Sequence, residues 1–96
     1  MTLRVAVVGC GSLATSAHLP HVQQSGMFGL QVACDARPEA AADAAGRFGA
    51  ARTSTDWREV VAADDVDLIV LCTHTNLRGE LICAAADVGK PVYTEK

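Results

Sequence analysis

The sequence predicts an α/β chain built on a doubly wound, five-strand parallel sheet in the order 3-2-1-4-5, with helices on both faces. Three observations carry that expectation. Short apolar runs rich in Val, Leu and Ile alternate with helix-period segments along the chain. Aromatic residues make up 4% of the sequence, so the core must come from aliphatic side chains, as in a sheet buried on both faces. The first apolar run passes directly into glycines, as Val5-Ala6-Val7-Val8-Gly9-Cys10-Gly11-Ser12-Leu13-Ala14. Repeated strand-helix-strand units require parallel pairing through right-handed crossovers.

Each element follows from local chemistry. Leu3–Val8 reads as a buried strand. A helix starts near Ser12, and Pro20 breaks or kinks it near His18–Leu19, because proline removes a donor and restricts the residue before it. Leu30–Cys34 is the second strand. Pro38 stands where a helix tolerates proline best, at its first residue. Ala41, Ala44, Ala45 and Phe48 then share one face, and Gly49 ends the helix. Ala51–Thr53 is a short third strand. Asp56 followed by Glu59 resembles a capping box opening a helix through Trp57, Val60 and Val61. Val66–Leu71 is the most apolar run and the expected central strand. Leu77, Leu81, Ala85 and Val88 form the stripe of a further helix, ended by Gly89. Pro91–Thr94 begins the fifth strand.

Composition narrows the function. Ninety-six residues make one small domain, 1–96, with half the residues apolar and a fifth charged. The formal charge is −3, with no basic block for a nucleic-acid backbone. No stretch approaches the roughly 20 apolar residues of a membrane span, and none reads as a signal peptide. A cytoplasmic protein is expected, bound neither to nucleic acid nor to a membrane. The four cysteines, Cys10, Cys34, Cys72 and Cys83, lack zinc-ligand spacing; they read as small buried hydrophobes in a reducing compartment, except that Cys10, in the glycine turn, is expected to be partly exposed. No metal is expected, and His18 has no second and third ligand to join it.

The candidate site starts at the first glycines. Gly9 allows a sharp turn off the strand, Gly11 lets a diphosphate approach the backbone, and Ala14 lets the helix lie close to the sheet. Gly9, Gly11, Ser12, Leu13 and Ala14 thus form a diphosphate cradle of backbone N–H groups at a helix N-terminus. Asp35 lies 21 residues past Ala14, where a carboxylate would accept from the two hydroxyls of an adenosine ribose. Its other reading is a cap for the helix at Pro38. An acid there repels a 2′-phosphate and favours NAD, with NADP as the alternative. Arg37 would pair with a 2′-phosphate, stack on adenine or stay solvated. Thr73, His74 and Thr75 follow the central strand, where ligands of open α/β sheets bind, and are candidate cofactor contacts. Asn76 would cap the next helix.

Three segments resemble the N-terminal domain of the Gfo/Idh/MocA oxidoreductase family, the glucose–fructose oxidoreductase and inositol dehydrogenase group. They are Gly9–Ala14 with His18-Leu19-Pro20, Cys34-Asp35-Ala36-Arg37-Pro38-Glu39, and Ala84–Lys96. The resemblance spans the whole chain and implies a Rossmann-type NAD(P)-binding domain. It implies hydride transfer between a nicotinamide cofactor and a sugar, cyclitol or related polyol. It also implies a second, C-terminal domain, outside these 96 residues, that supplies most substrate contacts. Glu95 and Lys96 match the first two residues of the family's Glu-Lys-Pro motif. That implies cofactor contact by both, and a catalytic Lys96 whose ammonium stabilises developing negative charge. Thr73-His74-Thr75-Asn76 departs from the family's usual Thr-Pro-Asn, and Arg78 stands where a His is usual. The chain alone is expected to bind cofactor without turnover. A non-enzymatic nucleotide-binding or partner-docking module is the alternative, and S-adenosylmethionine a further ligand with similar needs. An unprotected fifth strand at the sheet edge would invite self-association, so a homo-oligomer is one expected state.

Overall fold

The computed structural model describes residues 3–9, 28–72 and 77–94. Strands β1 (Leu3–Val8), β2 (Phe28–Cys34), β3 (Arg52–Ser54), β4 (Leu68–Leu71) and β5 (Val92–Thr94) form one sheet in the order β3-β2-β1-β4-β5. All pairings are parallel. Helices α1 (Pro38–Phe48), α2 (Trp57–Ala62) and α3 (Leu77–Asp87) connect them. The expected helix between Ser12 and Pro20 lies outside the described residues.

Alternation along the strands builds two cores. Val5, Val7, Ala33 and Val70 pack with Ala44 of α1 on one side of the sheet. Ala6, Val8, Val32, Cys34, Ile69 and Leu71 pack on the other with Val60, Val61, Leu81 and Ala85 of α2 and α3. Strands buried on both faces need apolar residues at successive positions, which is why β1 and β4 read as continuous aliphatic runs. α1 meets the sheet through alanines, with Ala41 and Ala44 buried.

Several boundaries and contacts differ from expectation. β2 starts at Phe28, two residues early, and β3 is displaced by one residue. Pairing of β4 starts at Leu68, because Asp67 is turned to Arg4. Asp67 Oδ2 accepts from the Arg4 N–H at 2.8 Å and from Nε at 3.1 Å. Val66 is still buried in the core beside the strand. Likewise β5 begins at Val92, after Pro91, which cannot donate to a ladder.

Val88 is not part of the α3 stripe. The helix ends at Asp87, and the chain reverses at Gly89 with φ +74°, leaving Val88 56% exposed. Lys90 N–H reaches the Ala85 carbonyl at 2.8 Å and Gly89 N–H that of Ala86 at 3.1 Å, a Schellman ending that needs the left-handed residue. Cys83 is exposed instead of buried, because Leu81 and Ala85 take the core-facing positions on either side of it. Cys34 is buried and Cys72 half-buried.

Only half of the expected capping box forms. Asp56 caps α2 by accepting from the Arg58 N–H at 3.0 Å. The Asp56 N–H is taken by Ser54 Oγ at 3.1 Å, while Glu59 turns to Arg52.

Charged pairs gather at the amino-terminal edge of the sheet. Arg4 binds both oxygens of Asp67. Gln31 is the extra residue of a bulge on β2, and its amide donates to Asp65 at 3.0 Å. Arg52 holds the same carboxylate through Nε at 3.1 Å and Nη2 at 3.0 Å. The Arg52 and Gln31 bonds hold Asp65 far below the usual carboxylate value of 3.8, and the Arg4 bonds hold Asp67 below it.

A depressed folded-state pKa means that the unfolded chain binds protons first as pH falls. The stabilisation from both carboxylates is therefore present above about pH 4 and lost on acidification through their folded values. Urea midpoints measured from pH 5 to pH 2 should fall steeply for the natural sequence. They should fall less for an Asp65→Asn, Asp67→Asn double variant, and equal slopes would contradict this account.

Candidate functional site

The carboxyl-terminal edge of the sheet has a defined row. Ser54, Cys34, Val8, Leu71 and Thr94 stand side by side across β3, β2, β1, β4 and β5. One residue further, the backbones remain tied. Gly9 N–H donates to the Cys34 carbonyl at 2.8 Å. Asp35 N–H donates to the Ser54 carbonyl at 3.1 Å, and Cys72 N–H to that of Val8 at 2.8 Å.

Gly9 has φ +95°, a conformation that an L side chain rarely adopts. This is the sharp turn the sequence predicts at the end of β1. The hydrogen bond to Cys34 sets the turn beside Asp35, the next residue of the neighbouring strand. Two features read separately from the sequence thus converge at one edge.

The Asp35 side chain is 10% exposed. Its Oδ1 accepts from the Arg37 N–H at 2.9 Å and from Arg37 Nε at 3.3 Å. The residue flanking α1 at its N-terminus is Arg37, and it makes no side-chain cap. Asp35 therefore does not cap the helix directly. It fixes the two-residue link before Pro38, and that link fixes the carboxylate.

Beneath the edge, burial pushes the Cys34 thiol up to about 11, partly offset by a hydrogen bond with Ser54. A neutral, buried thiol is a packing group here, not a nucleophile. Ser54, absent from the sequence-based site, supports it from behind. Its Oγ bonds both the N–H and the carbonyl of Asp56, and its own carbonyl holds Asp35. The Ser-x-Asp spacing before a helix was the available signal for the two Oγ bonds.

Of the expected site residues, the structure places Gly9, Asp35 and Arg37 together. Gly11, Ser12, Leu13 and Ala14 lie outside the described residues, as do Thr73, His74, Thr75, Glu95 and Lys96. In the chain these stretches follow Gly9, Cys72 and Thr94, which all stand at this one edge. Among the described residues no group of three His, Cys, Asp or Glu could hold a metal ion, and no helix is long and apolar enough to cross a membrane.

A parallel sheet ordered 3-2-1-4-5, with a positive-φ glycine turn after β1 beside an acid after β2, defines a dinucleotide-binding domain of the Rossmann type. Comparison with known proteins makes this specific. The chain belongs to the Gfo/Idh/MocA oxidoreductase family, with an NAD-binding Rossmann fold, whose family model matches residues 3–96.

It is 34% identical to inositol 2-dehydrogenase of Rhizobium meliloti, over 100% of this chain and 28% of that protein. It is 31% identical to levoglucosan dehydrogenase of Pseudarthrobacter phenanthrenivorans, over 98% of this chain and 26% of that protein. Among solved structures it resembles KijD10, a 3-ketoreductase from Actinomadura kijaniata in complex with NADP. The TM-score is 0.92 at 27% identity, covering 100% of this chain and 30% of that one. The chain therefore spans little more than a quarter of the length of these curated relatives.

Proposed function

We propose that this chain holds the nicotinamide dinucleotide of an enzyme that oxidises a secondary alcohol on a sugar, cyclitol or related polyol, or runs the reverse reduction. The observation that carries the reading is the Gly9-to-Cys34 hydrogen bond, which sets a positive-φ turn beside the Asp35 carboxylate. That pairing suits a diphosphate beside a ribose. The inositol and levoglucosan dehydrogenases it resembles favour the substrate class.

The residues of this chain then have separable tasks. Gly9 with Gly11, Ser12, Leu13 and Ala14 would offer backbone N–H groups and an unobstructed approach to the diphosphate. Asp35, nearly buried and fixed by Arg37, would accept hydrogen bonds from the ribose hydroxyls, with little motion left to freeze on binding. Thr73, His74 and Thr75, with Glu95, would contact the remainder of the cofactor. Lys96 would place an ammonium where negative charge develops on the reacting oxygen. When bound, the nicotinamide supplies or accepts the hydride. Substrate contacts and turnover would need a second domain, C-terminal to these residues.

Calorimetric titration of the protein and of an Asp35→Ala variant with NAD tests the reading. Asp35→Ala removes two charge-assisted hydrogen bonds of about 1.5–3 kcal/mol each, so affinity should fall by about a hundredfold or more. Equal affinity in the variant, or no binding of NAD by the folded natural protein, would overturn it.

A further inference from the structure

We infer that Ser54 is a positioning residue for the proposed cofactor site: its hydroxyl pins the end of β3, and the pinned strand end holds the Asp35 carboxylate beside the Gly9 turn. The inference rests on the proposed ribose-binding role of Asp35. Among the described residues, Ser54 is the one polar residue that is buried, at 7% exposure. It stands opposite Cys34 in the parallel register of β3 on β2, one residue before Asp35.

Burying a hydroxyl costs free energy unless its hydrogen bonds are made. Ser54 Oγ makes them across two elements. It accepts from the Asp56 N–H at 3.1 Å and donates to the Asp56 carbonyl at 3.1 Å, and Asp56 is the cap of α2. It also hydrogen-bonds the Cys34 thiol. One O–H and two lone pairs are thereby all used. The main chain completes the link, because the Ser54 carbonyl accepts from the Asp35 N–H at 3.1 Å. Both residues at the end of β2 are thus tied to Ser54, Cys34 by the side chain and Asp35 by the backbone. The Arg37 N–H orients the carboxylate on its own backbone, and Ser54 fixes where that backbone lies. Strand β3 needs such a pin. It is three residues long and lies at the sheet edge, where short elements open most readily. Released from Asp56, its end frays, and the acceptor for Asp35 moves with it. The carboxylate must then be ordered again when a ribose binds, which weakens affinity without removing a cofactor contact.

The experiment is calorimetric titration of the natural protein, Ser54→Ala, Ser54→Thr and Lys90→Met with NAD, well below each melting temperature, with amide hydrogen exchange on each. Ser54→Ala removes the hydroxyl and leaves the main chain. Its NAD affinity should fall by about fivefold to tenfold, the cost of ordering one side chain and its short backbone link. Ser54→Thr keeps the hydroxyl on a strand-favouring residue and should recover affinity to within about twofold of the natural protein. Lys90, just before β5, stands at the opposite edge of the sheet. Lys90→Met should lose stability and keep its affinity, so a general loss of stability does not imitate the effect. In Ser54→Ala the Asp35 amide should gain more in exchange rate than the Val7 amide of the central strand β1, and in Ser54→Thr it should not. In the natural protein the Asp35 and Asp56 amides should share one opening free energy, as parts of one unit, a measurement that needs no variant to fold.

A folded Ser54→Ala protein that binds NAD within about twofold of the natural one would overturn the inference. So would a loss that Ser54→Thr shares in full, a loss with no selective gain in Asp35 exchange, or separate opening energies for Asp35 and Asp56 in the natural protein. Those failures are distinct from failure of the proposed function, which shows as no NAD binding by the natural protein or as NAD affinity indifferent to Asp35→Ala.

Discussion

A Gly9→Val variant is expected to lose stability and NAD binding together. Gly9 stands at φ +95°, where a β-branched side chain meets its own backbone. Strain of this kind costs about 1–3 kcal/mol. To relieve it the chain must leave the turn, and the Gly9 N–H bond to the Cys34 carbonyl goes with it. That bond sets the distance between the turn and Asp35, so relaxation pulls apart the two groups proposed to grip the cofactor.

A suitable control is Gly46→Ala, a helical glycine of α1 with open space where the new Cβ would stand. It should gain up to about 1 kcal/mol, from the better helix propensity of alanine. Urea melts and NAD titrations on the two variants separate loss of a glycine from loss of this turn. Unchanged melting and affinity in Gly9→Val would remove the turn from the argument.

The contrast shows which parts of the molecule are legible in its sequence. β1 is legible because it is buried on both faces and must be aliphatic throughout, and its end is legible because the turn demands glycine. α1 is legible from Pro38 to Gly49 for similar local reasons. Boundaries set by a distant partner are not. Asp67 reads as part of the β4 run until Arg4 is seen to hold it. The Asp56-to-Glu59 spacing is a correct local signal, but Ser54 and Arg52 compete for the two groups and prevail. Val88 shows the limit of reading a helical stripe without knowing where the helix stops, and Cys83 the limit of reading burial from residue type when Leu81 and Ala85 hold the core-facing positions.

At the site, spacing alone puts Asp35 near the glycine turn, because parallel pairing of β1 with β2 brings the ends of both strands to one edge. The sequence leaves three fates for Arg37, and the structure adds a contact with Asp35 that none of them named. No local pattern exposes the support that Ser54 gives to Asp35 through its carbonyl, since a backbone acceptor belongs equally to every residue.

Lys90 is the sharpest case of a role that sequence reading misses. It lies in the Gly89-Lys90-Pro91 segment of the family resemblance, where nothing local assigns it a task. In the fold its half-buried ammonium donates to the carbonyls of Val61 and Ala63, at the C-terminal end of α2. That helix has no basic residue in its own last turn. Lys90 supplies from 27 residues beyond Ala63 the positive charge that a helix end favours. It also adds to the field that lowers Asp67. Lys90→Met keeps most of the aliphatic stem and removes the charge and donors. The loss should be about 2 kcal/mol, seen as a fall in Tm of roughly 10 °C.

Affinity for NAD, measured well below that Tm, should stay within about threefold, because the parallel strands put Lys90 at the amino-terminal edge and the proposed cofactor site at the opposite one. Gly9→Val should damage both properties and Lys90→Met stability alone. A Lys90→Met protein that melts normally but binds NAD poorly would reverse that division, and with it the assignment of the charged amino-terminal edge to scaffolding.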